Sequence, residues 1–103
     1  MGTVFYTYIL ASRRNGTLYT GSTGDLSKRV FEHKEKVQPG FTSEYGVHML
    51  VWFESYEARE NAFRRERQIK EWRRSWKLRL IEESNPDWRD LYDELNNLLG
   101  FRD

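Results

Sequence analysis

The sequence predicts an α/β fold of the α+β kind, a small three-stranded and mainly antiparallel sheet flanked by about four helices, with residues 1–103 forming one domain. Three observations carry this expectation. Two short runs rich in β-branched and aromatic residues lie either side of Asn15-Gly16. A third short apolar run occupies 49–53, and from there almost to the end apolar residues recur at helical spacing. Of the 103 residues, 38% are hydrophobic and 16% aromatic, which supplies apolar area for one modest core and argues against disorder despite a charged fraction of 32%.

Residues 3–11 are too short for a convincing helix and read as the first strand. Asn15-Gly16 tolerates the positive φ angles of a tight turn, and residues 17–22 return as the second strand. Side chains alternate faces along a strand. With a two-residue loop Arg14 faces Thr17 and Ser12 faces Tyr19; a four-residue loop over 13–16 keeps the same parity. Either way Tyr8 and Tyr19 share one face, whereas a three-residue loop would separate them. Asp25 is placed to cap a helix in which Leu26, Val30, His33 and Val37 recur until Pro39-Gly40 stops it. A loop of roughly ten residues around Thr42 and Tyr45 then precedes the run at 49–53, which suits a central strand. A helix is expected over 56–72, with Ala58, Ala62, Ile69 and Trp72 near one face. A bend near Arg73 leads into another helix through Trp76, Leu80 and Ile81. Ser84 or Asn85 then caps a last helix through Trp88, Leu91, Leu95 and Leu98.

The formal net charge of +1 hides a separation of signs. Residues 59–79 hold nine Lys or Arg against three Glu, while 82–103 hold seven acids against Arg89 and Arg102. A basic helical face beside an acidic tail suits a polyanion bound on one side; a solvated helix of mixed charge explains the run equally well. No apolar run approaches the roughly 20 residues that cross a bilayer, so no membrane association is expected. With no Cys there are no disulfides or thiolate metal sites, and His33 and His48 alone cannot close a zinc site. A cytoplasmic location is the expectation.

Glu66 lies one turn after Ala62 and one turn before Ile69, at the margin of the apolar stripe. Burial of an unpaired charge is costly, so it needs a partner. A salt bridge to Arg65 or another basic neighbour supplies one; a hard cation such as Mg²⁺, which keeps several waters and needs few protein ligands, is the alternative. Arg29 pairs equally well with a structural carboxylate or with phosphate oxygens. His33 one turn later reads first as a hydrogen-bonded core residue, and Tyr8 and Tyr19 as ordinary strand aromatics.

Taken together, these residues resemble the GIY-YIG nuclease superfamily, of the small stand-alone bacterial type. Tyr6-Thr7-Tyr8-Ile9-Leu10 is similar to its first strand motif and Tyr19-Thr20-Gly21 to its second. Asp25 through His33 resembles its first helix, with Arg29 at the catalytic arginine, and Arg65-Glu66-Arg67-Gln68-Ile69-Lys70 resembles its glutamate segment. The likeness extends over residues 4 to 92. Tyr6-Thr7 stands where the motif has Gly-Ile, and Ser22 stands where some members carry a lysine.

The resemblance implies a metal-dependent endonuclease acting on nucleic acid, DNA before RNA, with catalytic Tyr8, Tyr19, Arg29, His33 and Glu66. One Mg²⁺ or Mn²⁺ would sit on Glu66, Arg29 would hold a phosphate oxygen, and Tyr8 would activate or position water if nearby positive charge lowers its pKa. The alternative is a non-catalytic nucleic-acid-binding module on the same fold. A protein-interaction domain using Trp52, Trp72, Trp76 and Trp88 is disfavoured because those tryptophans fit core spacing. Without a targeting domain, low sequence specificity or a protein recruiter is expected, the chain acting as a monomer or weak homodimer.

Overall fold

The computed structural model describes residues 4–36 and 40–98. Three strands, β1 (Phe5–Ala11), β2 (Leu18–Thr23) and β3 (Met49–Tyr56), form one antiparallel sheet in the order β2-β1-β3. The β1–β2 register pairs Tyr8 with Gly21 and Leu10 with Tyr19. Ser12 N–H donates to the Thr17 carbonyl at 3.0 Å and Gly16 N–H to that of Arg13 at 2.9 Å, so the connection is the four-residue loop. Asn15, with φ 58°, takes the left-handed conformation the turn needs. The parity therefore holds, and Tyr8, Leu10 and Tyr19 face one side.

Helices cover both faces. Helix α1 (Leu26–Lys34), capped by Asp25 accepting from Lys28 N–H at 3.2 Å, joins α5 (Tyr92–Leu98) on the face of Tyr8. Leu26, Val30, Val47, Leu50 and Leu95 pack there against Tyr8 and Leu10. Ile9, Ala11, Val51, Trp52, Ile69, Ile81 and Trp88 form the core on the opposite face, under α3 (Arg59–Lys70) and α4 (Arg74–Ser84). Thr7 Oγ1 fastens α3 to the central strand by donating to the Ala62 carbonyl at 2.7 Å.

Several expectations are corrected. The run at 49–53 is an edge strand, not the central one; β1 is central. Its continuous apolar character has another cause. A register shift opposite Ile9 and Leu10 sends Leu50 into one core and both Val51 and Trp52 into the other, beneath helices on each side. The loop around Thr42 contains a fifth helix, α2 (Phe41–Tyr45), too short to display a period. The helix expected from residue 56 begins at Arg59, because Tyr56 is still paired with Phe5 in the sheet.

Neither Ser84 nor Asn85 caps the last helix, and Trp88 precedes it with φ 56°. Asn85 is buried and donates to the carbonyls of Val51 at 3.1 Å and Arg89 at 2.8 Å, while its own oxygen accepts from Arg89 N–H. Asp90 does the capping, accepting from Tyr92 N–H at 3.1 Å and Leu50 N–H at 3.2 Å. Trp52 and Trp88 are core residues, but Trp76 is 47% exposed, against its apparent core spacing. Val37 lies outside the described residues, as does Thr3, the first residue of the first predicted strand.

Candidate active site

Gly21 determines how the site is assembled. A Cβ there would lie 2.6 Å from the Tyr8 hydroxyl oxygen and 2.7 Å from Cζ, so the phenol lies across the bare backbone of β2. A glycine inside a strand marks such a close approach, a signal available in Tyr19-Thr20-Gly21 but not used. The phenol's path brings Tyr8 from the central strand to the outer edge of β2. The Tyr8 and Tyr19 rings stand 6.3 Å apart, and His33 from α1 completes the group, 6.3 Å from Tyr8 and 5.5 Å from Tyr19 between centroids.

His33 connects the phenol to the loop beyond α1. Its Nε2 is 3.5 Å from the Tyr8 oxygen and its Nδ1 is 2.9 Å from Thr42 Oγ1. Burial draws the imidazole below its ordinary pKa, the charge of Arg29 adds to this, and Glu32 opposes it. The ring is thus neutral at neutral pH. In the tautomer whose Nδ1–H donates to Thr42, Nε2 is left as an acceptor toward Tyr8. Burial pushes the phenol of Tyr8 well above its ordinary range, with Tyr19 adding to the rise, Arg29 resisting it and Glu66 contributing least. The lowering expected from nearby positive charge is therefore outweighed by desolvation, because Tyr8 has 0% exposure.

Arg29 and Glu66 approach from opposite sides of the sheet. Arg29 projects from α1, its side chain 45% exposed and its contact with Glu32 a loose 3.5 Å. Such an exposed pair is weak and leaves the guanidinium available to phosphate. Glu66 projects from α3 on the far face, where Ser22 donates to its Oε1 at 2.5 Å. Ser22 pairs with Thr7, whose side chain also reaches α3, so both hydroxyls point that way. Lys70 Nζ lies 2.7 Å from Glu66 Oε2. The partner of Glu66 is thus Lys70; Arg65 turns instead to Glu54 and Gln68. Ser22 and Lys70 were not among the expected site residues; the Ser22 contact spans 44 positions and exists only in the folded chain, whereas Lys70 stands at i,i+4 from Glu66 on one helix, a spacing the sequence displays.

Tyr8, Tyr19 and His33 gather beside Arg29 on the α1 side, while Glu66 is held from the other face by Ser22, the residue after Gly21; the charge of Arg29 lowers and that of Glu66, the smallest influence, raises the pKa of the Tyr8 phenol. A cavity of about 270 Å³ beside them is lined by Tyr19, Arg29, His33, Lys36, Phe41 and Thr42, among others. Among the described residues no group of three His, Cys, Asp or Glu could cage a metal ion. A hydrated hard cation on a single carboxylate is the form that fits this donor set, and Glu66 is the residue that would hold it. Among the described residues, no helix is long and apolar enough to cross a membrane.

Residues 4–79 match the model of the GIY-YIG catalytic domain, and the chain belongs to the GIY-YIG family. Domains of this family are in general endonucleases, so membership points to nuclease chemistry on nucleic acid. Within that class the chain is similar to the UPF0213 proteins. It is 35% identical over 91 residues to the UPF0213 protein of Clostridium perfringens, covering 88% of this chain and 97% of the relative. It is 35% identical over 78 residues to that of Staphylococcus saprophyticus, covering 76% and 94%. The solution NMR structure of the UPF0213 protein BH0048 from Bacillus halodurans superposes with a TM-score of 0.53 at 28% identity, over 84% of this chain and 92% of that one.

Proposed function

We propose that this chain is a divalent-metal-dependent endonuclease that hydrolyses phosphodiester bonds in DNA, with Tyr8, Tyr19, Arg29, His33 and Glu66 as its catalytic residues. The observation that supports the reading is the gathering of two phenols and an imidazole beside a half-exposed guanidinium, with a carboxylate tied to Ser22 on the other face of the same strand. Mg²⁺ or Mn²⁺ bound at Glu66 would supply electrophilic stabilisation of the phosphate and leaving oxygen.

The protein's own groups have distinct tasks. Arg29 holds a non-bridging phosphate oxygen, for which its fork of donors is suited. Tyr8 does not rest as a phenolate, since its pKa is raised. It passes a proton instead: the phenol yields its proton to His33 Nε2 as it takes one from the attacking water. Their 3.5 Å separation is long, and the transfer requires it to tighten with substrate bound. Thr42 Oγ1 accepts from Nδ1–H in the tautomer that leaves Nε2 free to take the proton, and Tyr19 lines the cavity. Basic residues of α3 and α4 track the backbone, which makes binding steeply salt-dependent.

One observation favours the rival, a non-catalytic nucleic-acid-binding module: both oxygens of Glu66 already have partners. Nicking of single-stranded DNA, duplex DNA and RNA by purified protein with Mg²⁺ or Mn²⁺ separates the two readings. Cleavage by the wild type that is lost in Glu66→Ala and Arg29→Ala, with Arg29→Ala still binding, is the expected result. Failure to cut any of these substrates with either metal, wild type and Glu66→Ala behaving alike, refutes the enzyme reading.

A further inference from the structure

The two partners of Glu66 are unlike. Ser22 is short, uncharged and carried by β2, so it holds Oε1 in place. Lys70 is the last residue of α3, on a flexible four-carbon stem. Its side chain is 49% exposed, against 12% for Glu66. An ammonium in that setting gives up little when it leaves the carboxylate for water or another anion.

Lys70 also has cationic neighbours. Arg74 and Lys77 occupy the first turn of α4, just past the junction with α3. Arg74 is fixed to the hairpin turn by donating to the carbonyls of Asn15 at 2.8 Å and Gly16 at 2.6 Å. Lys77 is drawn below its ordinary pKa, first by burial and then by the positive charges of Arg74 and Lys70. Lys70 ends α3 and Arg74 and Lys77 open α4 at intervals of four and three residues, so three cations follow one another across the junction next to the Glu66–Lys70 pair, and the phosphates of a nucleic-acid backbone are anions suited to such a row.

We propose that Lys70 is a displaceable counter-ion: it holds Glu66 Oε2 in the free protein and releases it to the divalent ion when a backbone phosphate binds the Lys70, Arg74 and Lys77 cluster, so that metal and nucleic acid bind cooperatively. This rests on the reading of Glu66 as the carboxylate that holds the metal. In the free protein Lys70 occupies the carboxylate oxygen that the ion needs and repels the ion as well. Once a phosphate takes the ammonium, both obstacles go. Linkage then requires the metal to strengthen nucleic-acid binding by the factor by which nucleic acid strengthens metal binding.

The test is a Mn²⁺ titration followed by the electron paramagnetic resonance signal of free Mn²⁺, without nucleic acid, on wild type, Lys70→Met, Lys70→Arg and Glu66→Gln, each checked for native circular dichroism. Lys70→Met keeps the stem and removes the charge. It is expected to bind Mn²⁺ about tenfold tighter, the scale of one unit charge beside a divalent ion under water-like screening. Lys70→Arg is expected to resemble wild type, and Glu66→Gln to lose the site. In an Arg29→Ala background, which prevents turnover, a DNA oligonucleotide should tighten Mn²⁺ binding about tenfold with Lys70 present and little with Met there. Saturable, Glu66-dependent Mn²⁺ binding that is unchanged or weaker in Lys70→Met overturns the counter-ion role and leaves the metal reading intact. No saturable binding in either protein overturns both.

Discussion

Gly21→Ala is the most sensitive probe of how the site is built. In an open strand this change gains about 0.4–1 kcal/mol, because alanine restricts the unfolded chain more than glycine does. Here the added methyl would sit 2.6 Å from the Tyr8 oxygen, 2.7 Å from Cζ and 3.1 Å from Tyr19 Cε2. Ordinary contact needs the phenol to retreat by nearly ~1 Å, and Tyr8 is buried in the core formed with Leu26, Val30 and Leu50. Overpacking of this kind costs about 1–3 kcal/mol. The net expectation is a loss of roughly 1–2 kcal/mol, or a melting temperature lower by about 5–10 °C in a domain of this size. Activity should suffer more, by about a hundredfold, because a shift of about 1 Å in a positioned group has that effect. Differential scanning fluorimetry and a nicking assay on the same preparations measure both. In a Tyr8→Phe background the substitution should remove little further activity, since the group it displaces is already gone. A Gly21→Ala protein as stable and active as wild type would refute the close approach and the positioning of Tyr8 argued from it.

Three further outcomes are expected. Because the folded-state pKa of His33 lies below its ordinary value, the unfolded chain takes up a proton first as pH falls below about 6.5. Stability should therefore decline with falling pH until the lower folded-state value is passed, and His33→Gln should flatten that part of the melting-temperature profile. An unchanged slope would count against a desolvated imidazole. Asn85, 1% exposed, bonds the buried Val51 carbonyl and the part-buried carbonyl and N–H of Arg89, so Asn85→Ala should cost about 1–3 kcal/mol in urea unfolding. A loss below about 0.5 kcal/mol would show that the network contributes little. Trp88→Ala should cost about 3–5 kcal/mol and Trp76→Ala about 1 kcal/mol or less, since Trp88 is 3% exposed and Trp76 is 47% exposed. Equal effects would contradict the different burial of these two side chains.

The rise in the Tyr8 pKa changes the chemistry open to the site. A tyrosine stripped of solvent is a poor resting base, so in the mechanism proposed above the acceptor is the imidazole, which the same burial disfavours charging. One physical cause, removal of water from the face between β1, β2 and α1, thus sets both groups: the phenol keeps its proton and the imidazole lacks its second one. Arg29 lowers the phenol's affinity for its proton as well as that of His33, so its departure onto a phosphate would alter both at once.

Much of this arrangement was legible along the chain because it depends on short-range geometry. Strand parity placed Tyr8 and Tyr19 on one face for either even loop, and the Ser12–Thr17 pairing decided between them. Asp25 declared the start of α1, and the spacing of Ala62, Glu66 and Ile69 put the carboxylate at the margin of a buried stripe. Where a run was brief or two-faced, the reading failed. Five residues of α2 hold no period, and the apolar run of β3 reads as central because a bulge hides the alternation that would mark its two sides. Asn85 was read as a cap and Asp90 was not, because what distinguishes them is contact with the carbonyl of Val51 and the N–H of Leu50, both on β3.

Periods of two and 3.6 follow from backbone geometry, and they were enough to place Tyr8 and Tyr19 on one face and Glu66 at the border of the core, while the Asp25 cap marked the start of α1. The folded structure decided what those residues meet. Ser22 reaches Glu66 across 44 positions of sequence, and His33 meets Tyr8 across 25. Such contacts, and the loss of water that shifts the two pKa values, exist only once the sheet and both helical layers have closed around the edge of β2.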